Sequence, residues 1–112
     1  MPKSLFFAWA DLDWIPVDAN TRRKQIWLDN IMHVLVELKA GTTAPAHSHP
    51  HEQTGIILQG TLKVTVGDQE KTLPTGAGYL VPPNMVHGVQ VIGDEDVLIL
   101  DTFTPIREDF LK

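Results

Sequence analysis

From Ile31 onward the chain repeats one rhythm. Short runs of β-branched and aliphatic residues are cut by glycine- and proline-bearing turns every eight to twelve residues. No stretch carries the 3.6-residue apolar period of an amphipathic helix. That combination restricts the chain to an all-β sandwich or barrel. Strands are expected near 25–30, 31–39, 54–58, 61–66, 71–73, 79–81, 86–92 and 97–103. Turns are expected over 41–46, at Gln59-Gly60, Gly67-Asp68-Gln69-Glu70 and Pro82-Pro83-Asn84, and over 93–96. A short helical turn is expected after Pro105. The run 31–39 alternates most clearly, with Met32, Val34, Val36 and Leu38 on one face. His33 shares the other, more polar face with Glu37 and Lys39, and reads as a surface or interface histidine. Tyr79-Leu80-Val81 reads as a buried strand, with Tyr79 and Met85 as barrel packing.

A chain of 112 residues has room for one domain, here 1–112. Its apolar fraction of 43% is that of a globular protein. Residues 1–30 hold Trp9, Trp14 and Trp27 around a turn-rich connector over 15–20. This segment reads as an N-terminal arm, packed on the barrel or on a partner subunit. No apolar run reaches the roughly 18 residues of a membrane span. The apolar stretch 5–10 is followed at once by acidic residues and has no sizeable basic region before it, so a secretory signal is not expected and the cytoplasm is. Without cysteine there is no disulfide framework and no thiolate metal site. The net charge of −5, with Lys and Arg scattered except at Arg22-Arg23-Lys24, argues against nucleic acid as a partner.

The chemistry concentrates in His47-Ser48-His49-Pro50-His51-Glu52-Gln53. Imidazole is the commonest protein metal ligand, and in an extended strand side chains two apart share a face. His47, His49, His51 and Gln53 would therefore share one face, and Glu52 would point away. Pro50 disturbs a strand, so the facing of His51 and Gln53 is less firmly fixed. His87 follows the rigid Pro82-Pro83 turn on another strand and completes the set. A solvated histidine-rich loop is the alternative, but it does not account for His87.

The spacing of these residues resembles the cupin superfamily. Gly41, His47, His49, Gln53 and Gly60 follow its first motif throughout. Gly76, Pro82 and His87 follow its second, with Asn84 where glycine is usual and Val91 where asparagine is frequent. The resemblance implies a double-stranded β-helix, or jelly-roll barrel. It also implies one divalent metal held by His47, His49, Gln53 and His87. Gln53 replaces the usual glutamate, so three neutral imidazoles and a neutral amide would leave the full +2 charge on the ion. Such a centre suits an anionic ligand. Zinc, nickel, manganese, iron and copper all fit a nitrogen-rich set of this kind. His51 stays without a role, and Glu52 could orient a ligand histidine.

The strand 97–103 adds a second group. Asp101 lies on the face of Val97 and Ile99, where a carboxylate is costly unless paired or functional. An internal salt bridge with Arg107 is one explanation. The other is a pocket in which Asp101 is a base, Phe103 an apolar wall and Arg107 a fork for a carboxylate. The histidine run, taken with Asp-x-Phe-x-Pro-x-Arg-x-Asp-Phe over 101–110, is similar to small single-domain cupins of the pectin-degradation (KdgF) type. That resemblance implies linearisation of 4,5-unsaturated uronates from pectin or alginate, with Asp101, Phe103 and Arg107 as active-site residues. The expected ligand is a small anionic sugar acid. Two further functions are compatible with the same ligands: a metal dioxygenase, separable by oxygen uptake with iron restored, and a non-catalytic ligand-binding cupin. Thr54, Ile56 and Leu58 leave an apolar outer face on their strand, from which a homodimer is expected.

Overall fold

A computed structural model describes residues 4–112; the first three residues of the expected N-terminal arm lie outside the described residues. Ten strands form two antiparallel sheets, and no α-helix occurs among the described residues. The strands are β1 (Ile15–Pro16), β2 (Thr21–Trp27), β3 (Met32–Leu38), β4 (Thr43–His47) and β5 (Glu52–Gln59). They continue as β6 (Thr61–Val66), β7 (Gln69–Leu73), β8 (Gly78–Val81), β9 (His87–Ile92) and β10 (Val97–Thr104). One sheet runs β1-β2-β3-β10-β5-β8 and the other β4-β9-β6-β7. The two sheets pack into the all-β architecture expected from the turn rhythm, in the jelly-roll form that the resemblance implies. A 3-10 turn, Glu108–Leu111, stands where the tail was expected to turn.

Alternation in the strands sets the interior. In β10 every second residue, Val97, Ile99, Asp101 and Phe103, is buried. In β5 the buried positions are Gln53, Gly55 and Ile57. One end of the barrel is closed by Leu38, Ile57, Leu62, Val64, Leu73, Val91, Val97 and Ile99. A fully buried aliphatic side chain of this kind contributes about 1.5–3 kcal/mol. Further along the same strands the inward residues become polar: Ile57 gives way to Gln53, Ile99 to Asp101, and Val91 to His87. A second apolar cluster of Met32, Val34 and Phe103, with Ile106 and Phe110 against it, walls that polar end.

Several local expectations change. Residues 41–46 are not one turn: the chain turns at Ala40-Gly41 and enters β4, which carries Pro45. Proline is tolerated there because β4 is the edge of its sheet and its register with β9 shifts between Ala44 and His47. β8 is also an edge strand, half-buried rather than buried, with Leu80 73% exposed. The tryptophans are not deep core. Trp27 is 40% exposed, and Trp9 and Trp14 are half-buried over the outer face of β2. There the buried Lys24 donates to the Trp9 carbonyl at 2.7 Å, and its Nζ stands 4.6 Å from the Trp14 ring centroid. His33 lies on the outward face as expected, half-buried and 2.8 Å from Thr102 Oγ1.

Candidate metal centre

The histidine-rich stretch is not one strand. His47 closes β4 in one sheet, His49 lies in the crossing, and Gln53 opens out on β5 in the other sheet. The shared face expected from parity is thus replaced by a passage between sheets, with Pro50 and His51 at the bend. The outcome for three of the four residues is the same. His47 pairs directly with His87 of β9. One ring nitrogen from each of His47, His49 and His87 lies within 4.8 Å of the others. Gln53 joins them, with its Oε1 3.0 Å from His49 Nε2. The backbone couples the two motifs as well: the Asn84 amide donates to the His49 carbonyl at 2.8 Å.

The second ring nitrogens fix the tautomers. His49 Nδ1 is 3.2 Å from the His51 carbonyl oxygen, and His87 Nδ1 is 3.0 Å from that of Met85. His47 Nδ1 makes a longer approach, 3.4 Å, to the Pro45 carbonyl. A carbonyl only accepts, so Nδ1 carries the proton and Nε2 presents a lone pair. His87 Nε2 is buried with no partner among the described residues. His49 Nε2 and Gln53 Oε1 then face each other as two acceptors, a costly arrangement unless a cation sits between them. Burial lowers the pKa of both His49 and His87, and the Arg107 charge adds to this, so both rings are held neutral. Neutral imidazoles with free Nε2 atoms are what a divalent ion requires. The donor set therefore fits a metal. Glu52, expected as a possible orienting group, is exposed at the start of β5, and the His51 carbonyl does that work instead. The His51 ring lies 5.4 Å from that of His49 and 6.4 Å from that of Phe103, with its Nδ1 buried and unpartnered among the described residues.

Beside these donors is a cavity of about 260 Å3 lined by His47, Gln53, His87, Asp101, Phe103 and Arg107, among others. Asp101 is buried and does not pair with Arg107. Its Oδ1 accepts from the Tyr79 hydroxyl at 2.7 Å, and the Gln53 amide also donates to it. Burial raises its pKa from 3.8 to about 6, against the opposing pull of those hydrogen bonds and of the Arg107 charge. Tyr79, expected as packing, is thus part of the polar site; burial and then the Asp101 charge push its pKa well up. Register explains the meeting. Tyr79, Gly55 and Asp101 lie side by side across β8, β5 and β10. A Cβ on Gly55 would stand 2.2 Å from Tyr79 Cζ, so the missing side chain is what lets the ring cross to Asp101. Arg107 is held by Asp109, Nε to Oδ1 at 3.0 Å and Nη2 to Oδ2 at 2.8 Å. Its guanidinium lies 5.1 Å from the Phe103 ring centroid and 4.2 Å from that of Phe110.

The Cupin domain family model matches residues 34–103. The chain belongs to the cupin family. Among curated proteins this cupin is 33% identical over 108 residues to the pectin degradation protein KdgF of Dickeya dadantii, covering 95% of this chain and 97% of that one. It is 34% identical over 80 residues to an H2HPP isomerase of Bacillus subtilis, covering 63% of this chain and 34% of that protein. Among solved structures, KdgF from Halomonas sp. superposes with a TM-score of 0.89 at 28% identity, covering 96% of this chain and 98% of that one. The cupin departs from the family pattern at Asn84, and the structure shows why asparagine serves. Asn84 has φ 65, in the left-handed region where Asn is among the best-tolerated residues after glycine.

Proposed function

We propose that this cupin is a metal-dependent enzyme that opens 4,5-unsaturated uronates to their linear keto form. The observation that carries the reading is a buried carboxyl, Asp101, in one cavity with His47 and His87 of the three convergent imidazoles and with the guanidiniums of Arg23 and Arg107. The similarity to KdgF over nearly the whole chain supports the substrate class. His47, His49, Gln53 and His87 would hold one divalent ion, whose identity among zinc, nickel, manganese, iron and copper the donor set leaves open. Bound there, the ion would supply a Lewis acid with no ligand carboxylate to offset its charge.

The protein's own groups handle the proton and the anion. Tyr79 fixes Asp101 through Oδ1. With a pKa near 6, Asp101 is suited both to take and to return a proton close to neutral pH. In the proposed reaction it takes the proton of the anomeric hydroxyl as the bond from C1 to the ring oxygen breaks. C1 becomes the aldehyde, and the ring oxygen leaves as an enolate conjugated to C4. Asp101 then returns the proton to C4, giving the 5-keto acid. No atom is gained or lost. Phe103 walls the cavity, and the guanidiniums that line it, Arg23 and the Asp109-paired Arg107, favour the substrate carboxylate despite the net charge of −5.

The 112 residues act in this reading as a single cupin domain in a cytoplasmic homodimer that uses neither membrane nor nucleic acid. Exposed Ile56, Leu58 and Leu80 on the outer face of the larger sheet support the dimer, which light scattering would test. The function is tested by turnover of 4,5-unsaturated galacturonate by metal-loaded protein. The expected result is conversion that falls at least a hundredfold in Asp101→Ala. Wild-type rates in that variant would remove Asp101 from the mechanism, and no turnover by the wild type would remove the reaction.

A further inference from the structure

Arg107 was the guanidinium expected to grip a substrate carboxylate, yet its fork is already engaged. Asp109 takes both Nε and Nη2 in a two-point pair. A second guanidinium lines the same cavity, that of Arg23. In sequence it sits inside Arg22-Arg23-Lys24 and looks like part of a solvated basic run. Register separates the three. Arg23 stands opposite Val36 of β3, an inward residue packed against the core, and directly opposed residues in an antiparallel pair share a face. Arg22 and Lys24 therefore point outward, to Glu37 and to the Trp9 carbonyl. The positions of β2 that share the Arg23 face are Thr21, Gln25 and Trp27.

Arg23 lacks the neutralising partner that Arg107 has. Among the described residues no carboxylate pairs with it within 4.0 Å, and only its Nε has a hydrogen-bond partner, Gln25 Oε1 at 3.1 Å. Its Cζ stands 3.9 Å from the Phe110 ring centroid, the ring that Arg107 also covers at 4.2 Å. The two guanidiniums thus meet around one aromatic ring at the cavity wall. Asp109 pairs with one of these two positive charges, and Asp18 and Asp101 also line the cavity. Nη1 and Nη2 of Arg23 form a free fork, matched to a carboxylate.

We propose that Arg23 is a substrate-binding residue whose free fork takes the carboxylate of the sugar acid, with Arg107 beside it as a neutralised support. The inference rests on the proposed uronate reaction for its ligand class. It differs from the plainer role of Arg23, which is to brace Phe110 and hold the C-terminal turn in place.

The test uses the metal-loaded full chain with Arg23→Met and Arg23→Lys. Methionine keeps an apolar stem against Phe110, and lysine keeps the charge without the fork. Calorimetric titration with D-galacturonate and with neutral D-galactose needs no turnover. Wild type should prefer the acid, Arg23→Met should weaken galacturonate binding about tenfold to a hundredfold without changing galactose binding, and Arg23→Lys should fall between. Hydrogen exchange over residues 106–111 should stay at the wild-type level in Arg23→Met. The proposal is overturned by equal galacturonate binding in wild type and Arg23→Met, by a wild type that does not prefer the acid, or by loss of binding together with faster exchange in the C-terminal turn. Kinetics with 4,5-unsaturated galacturonate separate this from the reaction itself. Turnover with an unchanged KM in Arg23→Met removes Arg23 and leaves the reaction. Galacturonate binding that needs Arg23, without turnover, removes the reaction and leaves Arg23.

Discussion

Placing a methyl group on Gly55 would test how the site is wired. The added Cβ would stand 2.2 Å from Tyr79 Cζ and 2.6 Å from its hydroxyl oxygen, well inside contact distance. The ring has to move, and its bond to Asp101 Oδ1, 2.7 Å long, breaks. Overpacking of this kind costs about 1–3 kcal/mol. Losing a hydrogen bond to a carboxylate costs about 1.5–3 kcal/mol more. Against these stands the ordinary gain of about 0.5–1 kcal/mol on replacing a strand glycine by alanine, which Gly55 would collect because its φ is not in the left-handed region. The net loss for Gly55→Ala is about 1.5–5.5 kcal/mol. In a Tyr79→Ala background there is no ring to displace, and the same substitution should be neutral or mildly stabilising. Urea unfolding of the four proteins of this cycle, free of metal, should give a coupling of about 2.5–6 kcal/mol, because the glycine-to-alanine gain is common to both backgrounds and cancels. Equal costs of Gly55→Ala in both backgrounds would refute the idea that Gly55 is glycine to let Tyr79 reach Asp101.

Three further outcomes are expected. Folding raises the Asp101 pKa from 3.8 to about 6, so the native state holds this proton more tightly than the unfolded chain, and the stability it lends at low pH is lost as pH climbs through about 6. Metal-free Asp101→Asn should match wild type below pH 4 and exceed it by up to about 3 kcal/mol at pH 8, at roughly 1.4 kcal/mol per unit; a difference independent of pH would contradict this. Lys24→Met leaves the Trp9 carbonyl without its 2.7 Å donor and should lower stability by about 1–2 kcal/mol, with faster proteolysis around residues 9–14; an unchanged cleavage pattern would show that Lys24 does not tether that segment. Ile57→Ala opens a hole in the closed end of the barrel, where Ile57 is fully buried, and should cost about 2–5 kcal/mol in urea unfolding, with metal binding at the far end unchanged.

The parts of this molecule legible in its sequence are those set by local period. β3 and β10 declare their inner faces because alternate residues differ in polarity, and β6 is bounded by turn residues. Asn84 stood out against the family pattern as a substitute for glycine, and its positive φ accounts for the choice. The rest depends on pairing between distant segments, which no window of sequence contains. Pro45 hid a strand because its edge position is a property of the sheet. His47, His49 and Gln53 meet across two sheets rather than along one face, so parity led to the same residues through a different geometry. Tyr79 lies 22 residues from Asp101 and reaches it only across Gly55, a glycine inside a strand that was the one available clue. Arg23 is turned inward by its partner Val36, while its neighbours in sequence face out.

The measurement that bears most directly on this account is metal stoichiometry by equilibrium dialysis against Zn2+ and Ni2+, comparing wild type with folded His49→Ala and His87→Ala. The account predicts about one ion per chain in wild type, and affinity lower by roughly a hundredfold or more in each variant, since each removes one of the three imidazoles whose ring nitrogens converge. A wild type that binds no ion, or variants that bind as tightly as wild type, would contradict it.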